Sequence, residues 1–310
     1  MRNDLGSVRM ALVVSVAAFA ACGDDTTATP DAGASPAEAC AASCDHCLEP
    51  GDDDQTAVQT AFVQVEDGQT ICLAAGSFHF DAQLDLDAND VTVRGAGMET
   101  ELDFAGQEVG GNSIAVTGND TVLEGFTLVG VGGDGIRATA VDGFTVREVA
   151  VLAAPTATHP GYGIYPVEST RVLVEKSKVS GASDTGIYVG QSSRIIVRDN
   201  EVYENVVGIE IENSMDSEVH DNHAHDNAAG IMTFNLPMLP VQGGARANIH
   251  TNLIENNNHE NFAPPGSTVA DVPTGTGVMV LAADHNEVHH NQILGNVTTG
   301  VLLISYSEIL

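Results

Sequence analysis

From Gly135 onward the chain repeats one phrase, a glycine followed by apolar residues that alternate with other types. It reads Gly163-Ile-Tyr-Pro-Val, Gly186-Ile-Tyr-Val-Gly, Gly208-Ile-Glu-Ile-Glu, Gly230-Ile-Met-Thr-Phe, Gly277-Val-Met-Val-Leu and Gly300-Val-Leu-Leu-Ile, with a looser copy at Gly135. The uninterrupted steps (163 to 186, 186 to 208, 208 to 230, 277 to 300) are 23, 22, 22 and 23 residues. A fixed period in this range marks a stacked repeat architecture. One repeat, starting at Arg194-Ile-Ile-Val-Arg, resolves into three short apolar runs separated by Asp-Asn, Glu-Asn and Glu-Asn-Ser corners. Period-2 alternation bounded by Asn, Asp and Gly predicts strands, and no long 3.6-residue stripe competes with it. Each repeat is therefore expected to form three strands and three corners, one coil of a parallel β-helix of all-β class. A leucine-rich repeat would need leucines at fixed offsets and a helical half.

The corners repeat as well. Asn200 and Asn205, Asn222 and Asn227, Asn252 and Asn257, and Asn291 and Asn296 are each five apart. Stacked coils superpose such pairs into two asparagine ladders, which give buried corner backbone the partners it requires.

Before the repeats, residues 54–65 carry Val58, Phe62 and Val65 on one side, predicting a short amphipathic helix. An N-terminal cap over 53–66 is expected to blunt the first open edge of a solenoid filling 67–310. After Gly300-Val-Leu-Leu-Ile no C-terminal cap is legible. Residues 22–52 read as a tether, small, polar and proline-dotted with nothing to bury. Residues 1–21 read as a signal peptide: Arg2 and Arg9 flank a charged start, and Met10 to Ala21 is apolar but too short to span a bilayer. The segment closes on Phe19-Ala-Ala-Cys22. This resembles a bacterial lipoprotein signal with Phe19 in place of leucine, which implies lipidation of Cys22 and delivery to the cell envelope, as an outer-membrane lipoprotein.

Composition narrows the partners. Eleven Lys plus Arg stand against 43 acids, a formal charge of −32. Nucleic acid is excluded as a partner by the lack of a basic footprint. In an oxidising compartment Cys40, Cys44, Cys47 and Cys72 are expected to form two disulfides.

The helix followed by Asp67-Gly-Gln-Thr-Ile-Cys-Leu-Ala-Ala-Gly-Ser-Phe, the Val91-Thr-Val-Arg-Gly-Ala-Gly-Met segment and the Gly-Ile coils resemble right-handed parallel β-helix proteins of the pectate-lyase-like superfamily. Gly161-Tyr-Gly-Ile-Tyr-Pro-Val and Gly181-Ala-Ser-Asp-Thr-Gly-Ile-Tyr-Val-Gly-Gln-Ser resemble more closely a group of exported bacterial β-helix proteins, many of them lipoproteins and usually longer. The resemblance spans about residues 55 to 305 and implies fold and location rather than a reaction. Alginate epimerases of the superfamily carry Tyr-Gly-Phe-Asp-Pro-His where this chain has Tyr162 to Val167. Tyrosine, glycine and proline match, but Tyr165 replaces the aspartate and Val167 the histidine. Losing that acid/base pair removes the standard epimerase chemistry.

Alternation sorts the phrase strand into faces. Ile164, Ile187, Val189, Ile209, Ile211, Ile231, Val278 and Val280 are expected inside, with Tyr165, Tyr188, Glu210, Met232 and Met279 in one outward column and Val167, Gly190, Glu212, Phe234 and Leu281 in the next. Insertions at 153–160, 236–244 and 258–274 break the period beside this face, which suggests a groove. Tyr162, Glu210 and Glu212 are the candidate catalytic residues, with Tyr165, Tyr188, Asp184, Gln191, Phe234 and Asn235 as binding residues. Arg147, Glu175, Arg198, His220, His250 and His289 form a competing column whose three histidines are the weak metal candidates. No cofactor is otherwise indicated, except that a uronate substrate would need Ca²⁺ to bridge it to so acidic a protein. Two functional readings stand: a polysaccharide lyase, epimerase or hydrolase, and a non-catalytic surface protein that binds glycan or another protein.

Overall fold

The computed structural model of the chain describes residues 43–153 and 159–305. Cys22, Cys40, the segment 1–21 expected to be a signal peptide, and 306–310 lie outside the described residues. The β-helix is formed as the repeat requires. Nine parallel strands, from Ala82–Leu86 to Thr299–Ile304, stack into one sheet, and the seven from Asp134–Thr139 onward carry the Gly-Ile/Val phrase. A second column follows the first corner, with Thr170–Glu175, Ser193–Arg198, Met215–His220 and Ala245–His250 in parallel register. A third runs through Lys178–Ser180, Glu201–Tyr203, His223–His225 and Leu253–Glu255.

The interior is one continuous apolar cluster. Ile164, Ile187, Ile209, Ile231 and Val278 are mutual register partners in the nine-stranded sheet. Val174, Val197, Val219 and Ile249, and Val179, Val202, Ala224 and Ile254, line the other two walls. All of these are fully buried, so each coil shields the core of the next.

Both asparagine ladders are present. Asn205 Nδ2 donates to Asn227 Oδ1 at 3.0 Å and to Val179 O at 3.1 Å, and Asn227 repeats this with Asn257 and Val202. Asn200, Asn222, Asn252 and Asn291 form the parallel ladder. The residue before each rung, such as Asp199, Glu204, Asp221 or Asp226, has φ of 53–64°, a left-handed turn that the amide bonds hold. The third corner carries a serine ladder that periodicity did not reveal: Ser169 N donates to Ser192 Oγ and Ser192 N to Ser214 Oγ, both at 2.9 Å.

The cap is a helix over Asp54–Gln64 whose N-cap Asp53 accepts from Thr56 N. Val58, Ala61 and Phe62 enter the core. Its glutamines occupy the free edge of the first strand of the nine-stranded sheet: Gln59 accepts from Asp85 N at 2.9 Å and donates to Asp85 O at 3.0 Å, and Gln55 accepts from Ala82 N. A side-chain amide thus substitutes for a neighbouring strand.

The C-terminal end of the segment expected as a tether, 22–52, is part of the fold. His46–Leu48 is a strand paired with Ile71–Leu73, placing Cys47 opposite Cys72. A disulfide joins Cys44 to Cys72 with the Cα atoms 5.9 Å apart, and Cys47 is disulfide-bonded too. Residues 46–52 therefore belong to the folded body. Composition hid this because two bridges and one short strand replace the apolar burial that usually marks a fold.

Candidate functional site

The outward columns of the nine-stranded sheet fall in the predicted register, with Tyr188 beside Glu210, Gly190 beside Glu212, and these beside Met232 and Phe234. Their exposure differs from the expectation. Glu210 is 3 % and Glu212 6 % exposed, and Tyr188, Met232, Phe234 and Met279 are buried as well. Outward Met232, Phe234, Met279 and Leu281 form an apolar stripe, and the long insertions fold onto it. Val269 and Val272, with Leu236, Phe262 and Ala263, complete a second core outside the sheet.

Two residues expected at the groove rim hold this cover in place. Asn235 Oδ1 accepts from Gly243 and Gly244 N at 3.2 Å, and Gln191 Oε1 accepts from Val241 N. Asn213, buried, clamps the same loop through Leu236 and Val241. Phe234 is thus buried beneath the cover, while Asn235 and Gln191, both half-buried, hold it in place. Glu210 and Glu212 are too enclosed to meet a polymer directly.

The cover stops short of the preceding coils, where the accessible chemistry collects. Tyr162, Tyr165 and Tyr188 form a ring triad with centroids 4.4, 4.9 and 4.9 Å apart. Tyr162 and Tyr165 are half-buried, as is Asp184. Arg137 lies in register with Tyr165 and sits 4.7 Å over its ring, 3.9 Å from Asp134. His159 packs on Phe262 at 4.7 Å and so joins the end of the first insertion to the third. The sequence reading overlooked Arg137 and Asp134. The signal was present in the looser Gly135 copy, whose Ile136 and Arg137 take the inward and outward positions.

A chain of hydrogen bonds runs from this surface inward. Thr185 Oγ1 lies 3.1 Å from Asp184 Oδ1 and 2.8 Å from Glu210 Oε2. A hydroxyl has one proton to give. The arrangement is satisfied when Thr185 donates to Asp184 and a protonated Glu210 donates to Thr185. Burial drives Glu210 in that direction, pushing its carboxyl well above the ordinary range, with the nearby Glu212 and Asp184 charges adding to the effect. Burial likewise raises Asp184 to about 6, against hydrogen bonds from Thr185 and Tyr162. Glu212 is raised by burial while its Tyr188 hydrogen bond opposes the shift. The Tyr162 and Tyr165 phenols are pushed upward, chiefly by burial, so both stay protonated at neutral pH.

The competing column is in register but does not form a chelate. Glu175 accepts from Arg147 at 2.6 Å and from Arg198 at 2.6 and 2.8 Å, a charge ladder along the second column. His220, His250 and His289 continue it as stacked rings 5.0 and 5.2 Å apart. Their nitrogens face separate partners: Asp221 for His220, Glu218 and Thr251 for His250, Asn248 and His290 for His289. Parallel rings one coil apart turn their lone pairs along the sheet surface rather than toward a common point.

A family model described as right handed beta helix region matches residues 90–237. No curated protein matches the chain. Among solved structures, the A-module of the Azotobacter vinelandii mannuronan C-5 epimerase AlgE6 is similar with a TM-score of 0.56 and 17% identity, covering 82% of this chain and 76% of that one. The AlgE4 A-module from the same organism gives 0.53 and 17%, covering 82% and 78%. Pectate lyase Pel9A gives 0.50 and 13%, covering 78% and 69%. At such identities the likeness concerns the fold alone: the chain folds as a right-handed parallel β-helix.

Proposed function

We propose that this protein acts on an extracellular, uronate-containing polysaccharide at the surface formed by Arg137, Tyr162, Tyr165 and Asp184. The observation that carries the reading is the convergence there of a cation, a tyrosine platform and a carboxyl held near 6. The fold neighbours named for mannuronan epimerisation and pectate lysis add an analogy of fold.

Each residue has a role that its environment supports. Arg137 is positioned to neutralise a uronate carboxylate, so Ca²⁺ is not needed as a bridge. Tyr165 and Tyr162 offer ring faces for a pyranose. Asp184 is mostly ionised at neutral pH yet basic enough to remove the proton α to the neutralised carboxylate, leaving the electron pair on that carboxylate. Tyr162, kept protonated by burial, then either delivers a proton to the opposite face of that carbon or protonates the oxygen departing from the neighbouring carbon. Buried Glu210, joined to Asp184 through Thr185, keeps the Asp184 carboxylate hydrogen-bonded. The first outcome is epimerisation and the second is elimination.

Export and anchoring through Cys22 are part of this proposal. The Cys44–Cys72 disulfide supports an oxidising compartment.

A panel of uronate polymers, assayed for unsaturated products and for altered C5 stereochemistry, tests the activity. Asp184→Asn and Arg137→Ala are expected to lower turnover at least about a hundredfold while polymer binding persists in Asp184→Asn. Binding by the native protein without any product would leave the tyrosine platform as a non-catalytic glycan site. Absence of both product and binding across the panel would sink the polysaccharide reading.

A further inference from the structure

Another set of side chains converges on the third column, on residues that the proposed site does not use. His223 and His225 flank Ala224, which is buried in the core, so both imidazoles project from the outer face of one strand. Parallel register places Glu201 beside His223 and Glu255 beside His225. One ligand atom from each of Glu201, His223 and His225 lies within 4.8 Å of the others. An open cleft lined by Lys178, Asp199, Glu201, Asp221 and His223 leads to them.

The neighbours orient these groups. His225 Nδ1 lies 2.8 Å from Asp226 Oδ2 and, by donating there, leaves Nε2 pointing at Glu201 Oε1, 3.4 Å away. An imidazole fixed in this way by a carboxylate is the usual outer partner arrangement of a metal-bound histidine. Tyr203 lies parallel to the His225 ring at 5.4 Å and sets its plane. Lys178 Nζ holds the other Glu201 oxygen at 2.7 Å, which turns Oε1 toward the histidines. Glu255 Oε1 closes the far side, 3.1 Å from His223 Nε2. With His225 Nδ1 donating to Asp226, an unprotonated Nε2 and a carboxylate oxygen would oppose lone pair to lone pair. A cation, either a proton or a metal ion, relieves that opposition.

We propose that Glu201, His223 and His225 bind a divalent cation of the zinc class, with Glu255 available as fourth ligand. Two imidazoles with one carboxylate select Zn²⁺, Ni²⁺ or Cu²⁺ over Ca²⁺ or Mg²⁺, which favour all-oxygen sites. The ion ties adjacent coils together across the strand pair Glu201–Tyr203 and His223–His225. Its presence stabilises the folded chain because the unfolded chain does not gather the three ligands.

Isothermal titration of the untagged, metal-stripped full chain with ZnCl₂ at neutral pH tests this, with thermal unfolding measured in parallel. One equivalent is expected to bind and to raise the melting temperature. His223→Ala and His225→Ala should each weaken binding at least about tenfold, and Asp226→Asn by about tenfold through loss of ring orientation. His250→Ala, which removes the centre of the stacked column, should bind as the native chain does. Circular dichroism of the metal-free variants establishes that they fold. The proposal is overturned by no binding up to about 100 µM Zn²⁺, by binding that survives the double His223→Ala/His225→Ala substitution, or by an equal loss in His250→Ala.

Discussion

The Tyr188 phenol lies across Gly190, two residues on in the same strand, and occupies the space that a Cβ on Gly190 would need. Because nothing projects from Gly190, the phenol reaches the next coil and donates to Glu212. Gly190→Ala is expected to push the ring away and leave a buried carboxyl without its donor, a cost of about 1–3 kcal/mol. Tyr188→Phe should give a loss of similar size. Chemical denaturation of both variants checks this, and a Gly190→Ala protein as stable as the native one would mean that the Tyr188–Glu212 bond is not needed.

The carboxyl cluster makes stability depend on pH. In the unfolded chain these groups titrate at about 4. In the folded chain Asp184 stands at about 6, and Asp134, Glu210 and Glu212 are raised, each chiefly by burial. Between the unfolded and folded values the native state holds more protons, so stability falls as pH rises. The contribution is fully present below about pH 4 and is lost as pH passes the folded values. Glu175, Glu201 and Asp216 are lowered and act with the opposite sign on the acid side. The difference between native and Glu210→Gln protein isolates the buried group: Gln should be the more stable above pH 6, with the gap closing toward acid. Parallel pH profiles for the two proteins would show that Glu210 is not protonated in the fold.

The asparagine ladders predict a gradient of cost. Asn227 is fully buried between Asn205 and Asn257, so Asn227→Ala takes their partner from the backbone N–H of Asn205 and the C=O of Val202 on the preceding coil and should cost about 1–3 kcal/mol. Asn296, half-exposed on the last rung, can be replaced by water and should cost less than half as much when changed to Ala. Urea unfolding of the two variants compares them directly, and equal losses would contradict the ladder account.

The proposed lipid anchor is expected to be separable from folding. Cys22→Ser is expected to release the protein from the membrane fraction while leaving the unfolding transition unchanged, because the described fold begins with the strand His46–Leu48. Detergent partitioning and membrane fractionation of cells making each form decide it. Unchanged membrane association would remove the lipid anchor from the account.

Sequence alone determined the coil. The spacing of Gly163, Gly186, Gly208 and Gly230, the alternation about Ile187 and Ile209, and the paired asparagines are local and periodic. In a solenoid one repeat's register fixes that of every neighbour, which is why the columns through Tyr188, Glu210 and Met232 were legible. Which part of a column meets solvent was decided by tertiary structure. Residues 256–275 leave the period and return over Met232, Phe234 and Met279, driven by apolar area that lies far apart in sequence. That packing turned Glu210 from an expected surface acid into a buried partner of Thr185 and left Tyr162, Tyr165 and Asp184 as the half-buried groups beside Arg137. The Glu201, His223 and His225 cluster had the same origin. The His-Ala-His alternation is visible in the chain, but the carboxylate that completes it arrives from the preceding coil, oriented by Lys178 through a contact no single repeat contains.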